Sequence, residues 1–279
     1  MTDGVSRVRS FLVTLADWGR RDLYMGGAAR TVAQSLGVED HLGVAYWRAL
    51  SATAGSTRTV RVGGASARFH VGSPAELQAC LQTAAREHQV LADLLPRLRP
   101  DDVVWDVGAN VGLYTCLAAD RLVEGEGGVV AVEPHPLNAD RVGENLARND
   151  FDGHVVECAL SDARGEAPFA YDAHVGAQGG RLDVGRGGTR RLTVRTERGD
   201  DLVSDGGVPA PTVLKVDVEG AEEAVLAGLE RTLDRPTCRL VYCELHYGDD
   251  TVVHTLADHG FTVETIHHDT TNQYVRATR

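Results

Sequence analysis

Two acidic side chains stand at the ends of apolar runs in the middle of the chain, with a glycine turn between them. The run that ends at Asp106 passes directly into a turn carrying Gly108 and Gly112, and the next run closes on Glu133, 21 residues after Gly112. A strand, a tight glycine turn and a helix form the crevice of nucleotide-binding α/β folds, where glycine lets the backbone approach a ligand closely. A carboxylate about 20 residues further binds ribose hydroxyls in such folds. The spacing therefore predicts a nucleoside-binding crevice.

Further acidic groups follow the other predicted strands. Asp162 comes just after the third strand, Asp217 and Glu219 follow the fourth, and Glu244 and His246 end the fifth. Because ligands of open α/β sheets bind at the carboxyl ends of the strands, these side chains are expected on one rim. Helix capping explains Asp162 or Glu219 individually, but it explains the whole set poorly. An acidic rim repels a pyrophosphate and suits a cationic ligand that carries a ribose, such as S-adenosylmethionine.

The rim also contains candidates for catalysis. His246 is the best-placed general base for a hydroxyl acceptor, since the ordinary pKa of histidine lies near neutrality, and Asp217 and Glu219 are grouped with it as catalytic residues. One alternative is a partly buried His246 bonded to Glu244 or Glu219. Another is a divalent metal ion bound by Asp217, Glu219, Glu244 and His246. We predict no metal. Lys215 is interpreted as half of a structural ion pair, with substrate binding as the other possibility.

The elements that position these residues alternate as strand and helix from residue 102, which predicts a mostly parallel sheet covered on both faces. An insertion over 163–210 separates the third and fourth strands, and its glycine-dense loop 176–188 is either a functional lid or a disordered segment. The expected strands are 102–107, 128–133, 154–159, 212–217, 238–244, 260–266 and 272–277, with 166–171 and 191–196 in the insertion, and the expected helices are 112–123, 136–149, 219–232 and 250–259.

The N-terminal part precedes this alternation. Residues 5–50 are predicted to form a helical extension, and residues 57–71 a small hairpin around a Gly-Gly turn. Ser73 begins a helix whose apolar face continues to Pro100. We therefore divide the chain into an extension over 1–72 and a ligand-binding domain over 73–279. An alternative for the extension, which is net positive, is peripheral contact with an anionic membrane.

Composition limits the possible partners. The net charge is −12, and this acidic excess argues against a nucleic-acid backbone as partner. Lys215 is the only lysine among the 28 basic residues. The five cysteines show no C-x-x-C spacing, so reduced thiols in a cytoplasmic protein are expected and zinc is not. The apolar run near the N-terminus ends too early for a signal peptide, and no stretch is long enough to span a membrane.

Four segments, in this order, resemble the FkbM family of S-adenosylmethionine-dependent methyltransferases: VVWDVGANVGLYT, VVAVEPHPLNADRVGENLARN, ALSD and LKVDVEGAEEAVLAGL. The resemblance covers roughly residues 80–265. It implies a Rossmann-like, class I methyltransferase sheet of seven strands in the order 3-2-1-4-5-7-6, with the D-V-E-G and E-L-H segments on the substrate side. The positions it implies for cofactor binding are Asp106, Gly108, Asn110, Gly112, Glu133, Asp162 and Glu87.

The resemblance implies methyl transfer, usually to an oxygen of a sugar or another small molecule. We therefore expect an O-methyltransferase with a small-molecule or sugar acceptor, in glycan or glycolipid synthesis. The alternative is a non-catalytic module that keeps the methyltransferase fold to bind a partner. A nicotinamide oxidoreductase is disfavoured because the turn lacks the third glycine of its fingerprint. The insertion departs from the family at Gln178–Arg181, so no substrate contacts are assigned there.

Overall fold

A computed structural model describes residues 56–73, 76–77, 80, 84, 86–171, 181–182, 190–246, 250–268 and 272–279. The predicted helical extension and most of the loop 176–188 lie outside these ranges. Contacts group residues 59–69 and 79–279 into one compact unit, whereas the described residues at 56–58 and 70–77 group with a second unit. The hairpin residues 59–69 thus belong with the sheet. The division into 1–72 and 73–279 stays a prediction.

Strands and helices alternate along the described chain as the apolar runs predict. In chain order they are β1 (Thr57–Val62), β2 (Ala65–His70), α1 (His88–Leu94), β3 (Val103–Val107), α2 (Leu113–Leu122), β4 (Gly128–Val132), α3 (Pro136–Arg148), β5 (His154–Val156), β6 (Ala159–Leu160), β7 (Gly165–Tyr171), β8 (Arg181–Leu182), β9 (Arg190–Glu197), α4 (Gly199–Ser204), β10 (Val213–Val216), α5 (Glu222–Ala227), α6 (Glu230–Leu233), β11 (Leu240–His246), α7 (Thr251–Asp258), β12 (Thr262–His268) and β13 (Asn272–Thr278).

The main sheet contains seven strands in the order β12-β13-β11-β10-β3-β4-β5. Strands β3, β4, β5, β10 and β11 run parallel, and β13 is antiparallel to both of its neighbours. If only the seven strands of this sheet are numbered along the chain, from β3 as 1 to β13 as 7, their order read from β5 is 3-2-1-4-5-7-6, as the resemblance implies. Trp105, Leu214 and Val241 pack into the buried core beside the sheet. Because the central strands are covered on both faces, their sequences are almost continuously apolar.

The predicted third strand over 154–159 is wrong in one respect, because the structure divides it between two sheets. Residues 154–156 form the edge of the main sheet as β5, whereas β6 pairs with β9 in a second sheet of order β6-β9-β7-β8. Phe169 and Val194 form a small separate core there with Ala159. The insertion therefore contains its own layer, and the strand divides because its last residues pair with the insertion.

One predicted helix is interrupted, whereas another is helical at the residues described between 76 and 86 and again in α1. The helix predicted over 219–232 is broken into α5 and α6, and a Cβ atom on Gly228, which lies between them, would stand 2.1 Å from the carbonyl oxygen of Ser161. The helix predicted from Ser73 to Pro100 includes α1, which ends in a 3₁₀ turn over Leu95–Arg97. Within the described ranges, no helix combines the length and apolar character needed to cross a membrane.

Candidate active site

The glycine turn after β3 is shaped by contacts within the chain. Gly108, Asn110 and Gly112 all have positive φ angles, of 78°, 51° and 83°. A Cβ atom on Gly108 would lie 1.8 Å from the carbonyl oxygen of Asp217, and one on Gly112 would lie 3.2 Å from the side chain of Val142. We expected these glycines to admit a ligand. The structure shows that they let the segment after β10 and the helix α3 approach closely, and close approach of a ligand stays a prediction.

Asp106 lies beneath this turn and is only 1% exposed. Its Oδ2 atom accepts hydrogen bonds from the backbone N–H of Thr115 at 3.0 Å and from the Thr115 hydroxyl at 2.6 Å, which ties the start of α2 to the end of β3. Its Oδ1 atom lies 3.2 Å from Nζ of Lys215. The expectation that Asp106 forms the acidic mouth of the crevice is therefore corrected, since both oxygens face the protein.

Glu133 follows β4 and connects it to the glycine turn. Its Oε2 atom accepts the N–H of Asn110 at 2.9 Å, and its Oε1 atom accepts the N–H of His135 at 3.0 Å and the amide of Asn138 at 3.3 Å. Burial raises the pKa of Glu133 to about 7, although these three donors act in the opposite direction. The ring of His135 also packs edge-on against Tyr171 of the insertion, with centroids 4.6 Å apart.

Lys215 is buried within a group of carboxylates on one face of the sheet. Its Nζ atom lies 3.4 Å from Asp217 Oδ2, donates to the carbonyl oxygen of Gly108 at 3.3 Å and stands 4.9 Å from the centre of the Tyr114 ring. Burial alone would lower the pKa of Lys215, but the charges of Asp106 and Asp217 outweigh it and raise the pKa. The structural role predicted for Lys215 fits this arrangement.

A small cavity opens beside Lys215, with room for about one water molecule. Glu87, Asp217 and Glu244 line it, and each offers an oxygen atom within 4.8 Å of the others. Burial and the charge of Asp217 raise the pKa of Glu87 to about 7. Burial, then the charges of Asp217 and Glu87, raise the pKa of Glu244 to about 8, although the Tyr274 hydroxyl donates to it at 2.8 Å. Three acidic groups thus share the cavity with Lys215, and Nη2 of Arg86 also lies 4.0 Å from Glu87 Oε1.

His246, at the end of β11, is 9% exposed and lies among carboxylates. Its Nδ1 atom is 2.7 Å from Glu222 Oε1, and its Nε2 atom is 3.5 Å from Glu219 Oε2 and 3.7 Å from Glu244 Oε1. Burial alone would lower the pKa of His246. The hydrogen bond and charge of Glu222, followed by the charges of Glu219 and Asp217, outweigh burial and raise the pKa to about 9. The expected titration near neutrality is therefore corrected upwards.

Asp162 differs from the other candidates because it is exposed. Its Oδ1 atom accepts a hydrogen bond from the Ser161 hydroxyl at 3.1 Å, and its carbonyl oxygen accepts one from Arg198. The residues that sequence reasoning missed are Glu222, Tyr274 and His135. Glu222 was interpreted only as part of a helix, although a buried acidic residue 24 positions before His246 could pair with it.

The acidic groups suit a ligand with positive charge. Glu87, Asp217 and Glu244 repel one another at close range, and a sulfonium or ammonium group would reduce that repulsion. Glu133 is an acceptor beside the glycine turn, where such folds place a ribose-binding carboxylate. The chemistry of these residues therefore fits S-adenosylmethionine. Asp217, Glu219 and His246 also bring ligand atoms within 4.8 Å of one another, so the arrangement leaves the divalent-metal alternative open.

Comparison with known proteins agrees with this chemistry. The family model described as the methyltransferase FkbM domain matches residues 106–268, more than half of the chain. The hexuronic acid methyltransferase AglP of Haloferax volcanii is 35% identical over 195 residues, which cover 70% of this chain and 77% of that protein. The 31-O-demethyl-FK506 methyltransferase FkbM of Streptomyces tacrolimicus is 33% identical over 202 residues, which cover 60% of this chain and 75% of that protein.

A crystal structure of a methyltransferase FkbM from Methylobacillus flagellatus KT is similar to 72% of this chain and 53% of its own, with 16% identity and a TM-score of 0.46. The family model spans the glycine turn, Glu133, the insertion and the segments that carry Asp217 and His246. The chain therefore belongs to the FkbM methyltransferases and is an enzyme whose cofactor is S-adenosylmethionine.

Proposed function

We propose that this methyltransferase acts on an oxygen atom of a sugar or another small molecule, in glycan or glycolipid synthesis. The names of its relatives support this proposal, since one is a hexuronic acid methyltransferase and another a methyltransferase for 31-O-demethyl-FK506. The observation that carries it is the position of His246 beside Glu219 at the ends of β11 and β10. A nitrogen base and a carboxylate in one place can receive a hydroxyl proton.

The cofactor residues divide into two groups in this proposal. Glu133 and Asn110, which already share a hydrogen bond, hold the ribose, while Asp162 is the polar group for the adenine edge. Asp106 stabilises the turn that contains Gly108 and Gly112 by accepting hydrogen bonds from Thr115. Glu87 and its neighbouring carboxylates attract the positive charges of the cofactor. When bound, S-adenosylmethionine supplies an electrophilic methyl group, whose bond to sulfur breaks as the acceptor oxygen bonds to the carbon.

The acceptor residues are His246, Asp217 and Glu219. In our proposal the neutral imidazole of His246 takes the proton from the acceptor hydroxyl at Nε2. Because its pKa is raised to about 9, the ring carries a proton on both nitrogens at neutral pH, and it must lose one before it can act as a base. Asp217 and Glu219 orient the acceptor. Their negative charge also stabilises the imidazolium that forms.

The chemistry of the surface and of the thiols supports two further parts of the proposal. The net charge of −12 disfavours a nucleic-acid partner. The five cysteines are free and buried, which suits a reducing compartment, and we propose that the reaction takes place in the cytoplasm. Membrane contact through residues 1–70 stays the less favoured alternative, and residues 1–55 lie outside the described ranges.

The test is methyl transfer from isotope-labelled S-adenosylmethionine to separate pools of neutral sugars, uronic-acid glycans and glycolipids, followed by mass spectrometry. We expect one pool to gain one CH₂ unit per acceptor. Alkali then distinguishes the products, because a methyl ester is hydrolysed and a methyl ether is stable. An alkali-stable product supports transfer to a hydroxyl. An ester would overturn the base role of His246, and labelled product in none of the pools would contradict the proposal.

A further inference from the structure

We propose that Glu222 is the positioning residue of the acceptor site, holding His246 and the Glu219–Gly220 turn in one arrangement. Glu222 is 5% exposed, and a single oxygen, Oε1, serves both partners. It lies 2.7 Å from Nδ1 of His246 and accepts the N–H of Gly220 at 3.0 Å. The inference rests on the proposed function, because it gives His246 its role as base.

The contact with Nδ1 determines which nitrogen of His246 can act. An ionised carboxylate only accepts hydrogen bonds, so the ring nitrogen facing Glu222 carries a hydrogen. In the neutral ring the other nitrogen, Nε2, then has the free electron pair. Nε2 lies on the candidate acceptor side and is further from its carboxylates, 3.5 Å from Glu219 and 3.7 Å from Glu244, than Nδ1 is from Glu222. Glu222 therefore selects the tautomer that can receive the acceptor proton at Nε2.

The contact with Gly220 holds the turn that carries Glu219, the carboxylate near Nε2 of His246. Glu219 has a φ angle of 56° and Gly220 one of 103°, so the turn passes through the left-handed region, which a glutamate rarely adopts. A carboxylate that holds the Gly220 N–H keeps this turn from relaxing. Since the Glu219 side chain extends from the same turn, its distance from Nε2 depends on Glu222.

The neighbouring groups do not replace Glu222 in this role. The carboxylate of Glu244 accepts the hydroxyl of Tyr274 at 2.8 Å and approaches the ring on the Nε2 side. Asp217 is paired with Lys215 at 3.4 Å. Glu222 is the carboxylate that contacts the ring at Nδ1, at 2.7 Å. A purely structural role for Glu222 is the competing explanation, because it also begins α5.

The experiment compares Glu222→Ala with Glu222→Gln in the full chain, with Glu223→Ala as the control. Glu223 is the exposed neighbour on the same helix. Glutamine keeps an oxygen that accepts from Nδ1 and Gly220, whereas alanine removes it. We expect Glu222→Ala to lower kcat about 10- to 100-fold, a part of the roughly 10²–10⁴ that base catalysis contributes. The Kd for S-adenosylmethionine should stay within about threefold of the value for the unaltered chain. Above pH 9, Glu222→Gln should keep most of the kcat that Glu222→Ala loses.

A second readout is independent of turnover. With isotope-labelled histidine, the nitrogen resonances of His246, identified by their loss in His246→Asn, should show a protonated, slowly exchanging Nδ1 in the unaltered chain and in Glu222→Gln but not in Glu222→Ala. Equal losses in Ala and Gln variants with an unchanged His246 signal would overturn the inference. An unaltered chain that transfers no methyl group would count against the proposed function, and the His246 signal would still decide the role of Glu222.

Discussion

The carboxylate of Glu133 accepts the backbone N–H of Asn110 at 2.9 Å, so the end of β4 and the glycine turn after β3 are held together. A ligand that binds Glu133 therefore meets a turn that is already shaped. This arrangement suits a cofactor site, because the turn does not have to be ordered when the cofactor binds.

Replacing Glu133 with alanine should weaken S-adenosylmethionine binding roughly 10- to 100-fold, since a hydrogen bond to a charged group contributes about 1.5–3 kcal/mol. Isothermal titration calorimetry measures the effect. Glu126→Ala, which removes an exposed glutamate between α2 and β4, should leave the affinity unchanged. Equal affinities for the Glu133 variant and the unaltered chain would remove Glu133 from the site.

The pH dependence of kcat/KM tests His246 as the base. Its pKa is raised to about 9, and only the neutral ring accepts a proton, so kcat/KM should increase about tenfold per pH unit between pH 7 and 9 and then level off. Initial rates across this range measure it. In His246→Ala this rise should vanish together with most of the activity, whereas near-normal turnover would show that the acceptor needs no base.

Exhaustive treatment with EDTA should leave the methyl-transfer rate unchanged. At neutral pH the imidazolium of His246 has no free electron pair for a metal ion, and it already offsets the charges of Glu219 and Glu222. The rate before treatment, after treatment and after addition of Mg²⁺ or Mn²⁺ is compared. A loss that either ion restores would establish the metal alternative.

Lys215→Met should destabilise the fold by about 3–5 kcal/mol, because it leaves buried Asp106 without its ion-pair partner. Urea unfolding measures the free energy. Arg231→Met removes ion pairs with Asp200 and Asp201 from a side chain that is 64% exposed. It should cost less than about 1 kcal/mol, because Asp200 keeps its hydrogen bonds from the backbone N–H of residue 231 and from Thr232. Similar losses in the two variants would contradict a structural role for Lys215.

Gly108→Ala should destabilise the fold by at least about 1–3 kcal/mol from backbone strain alone, and its Cβ would also meet the carbonyl oxygen of Asp217. Gly143→Ala is the matched control, because it lies inside α3 with no atom within 4 Å of the new Cβ. That variant should gain about 0.5–1 kcal/mol from helix propensity. Thermal unfolding of both variants checks the difference.

The sequence predicted the main sheet because each central strand is an almost continuous apolar run. It predicted the rim because Glu133, Asp217 and His246 lie at or just beyond the strand ends. It did not predict that residues 154–160 divide between two sheets, since pairing with β9 depends on residues far along the chain. Local patterns do not report such partners.

The contacts of individual side chains could not be predicted from the sequence either. Asp106 has the expected position, but its two oxygens are turned towards Thr115 and Lys215, and Lys215 is 109 residues away along the chain. The raised pKa of His246 depends on carboxylates from α5 and from the turn after β10. A motif gives the types of these residues, whereas their charge states depend on how the strands assemble.

The burial of Lys215 also gives the protein an unusual chemical property. As the only lysine of the chain, it has the only side-chain amine, and that amine is shielded in the folded state. Reagents that acylate amines should therefore modify Lys215 only when the sheet opens. The extent of Lys215 acylation over time would report the opening of this part of the enzyme directly.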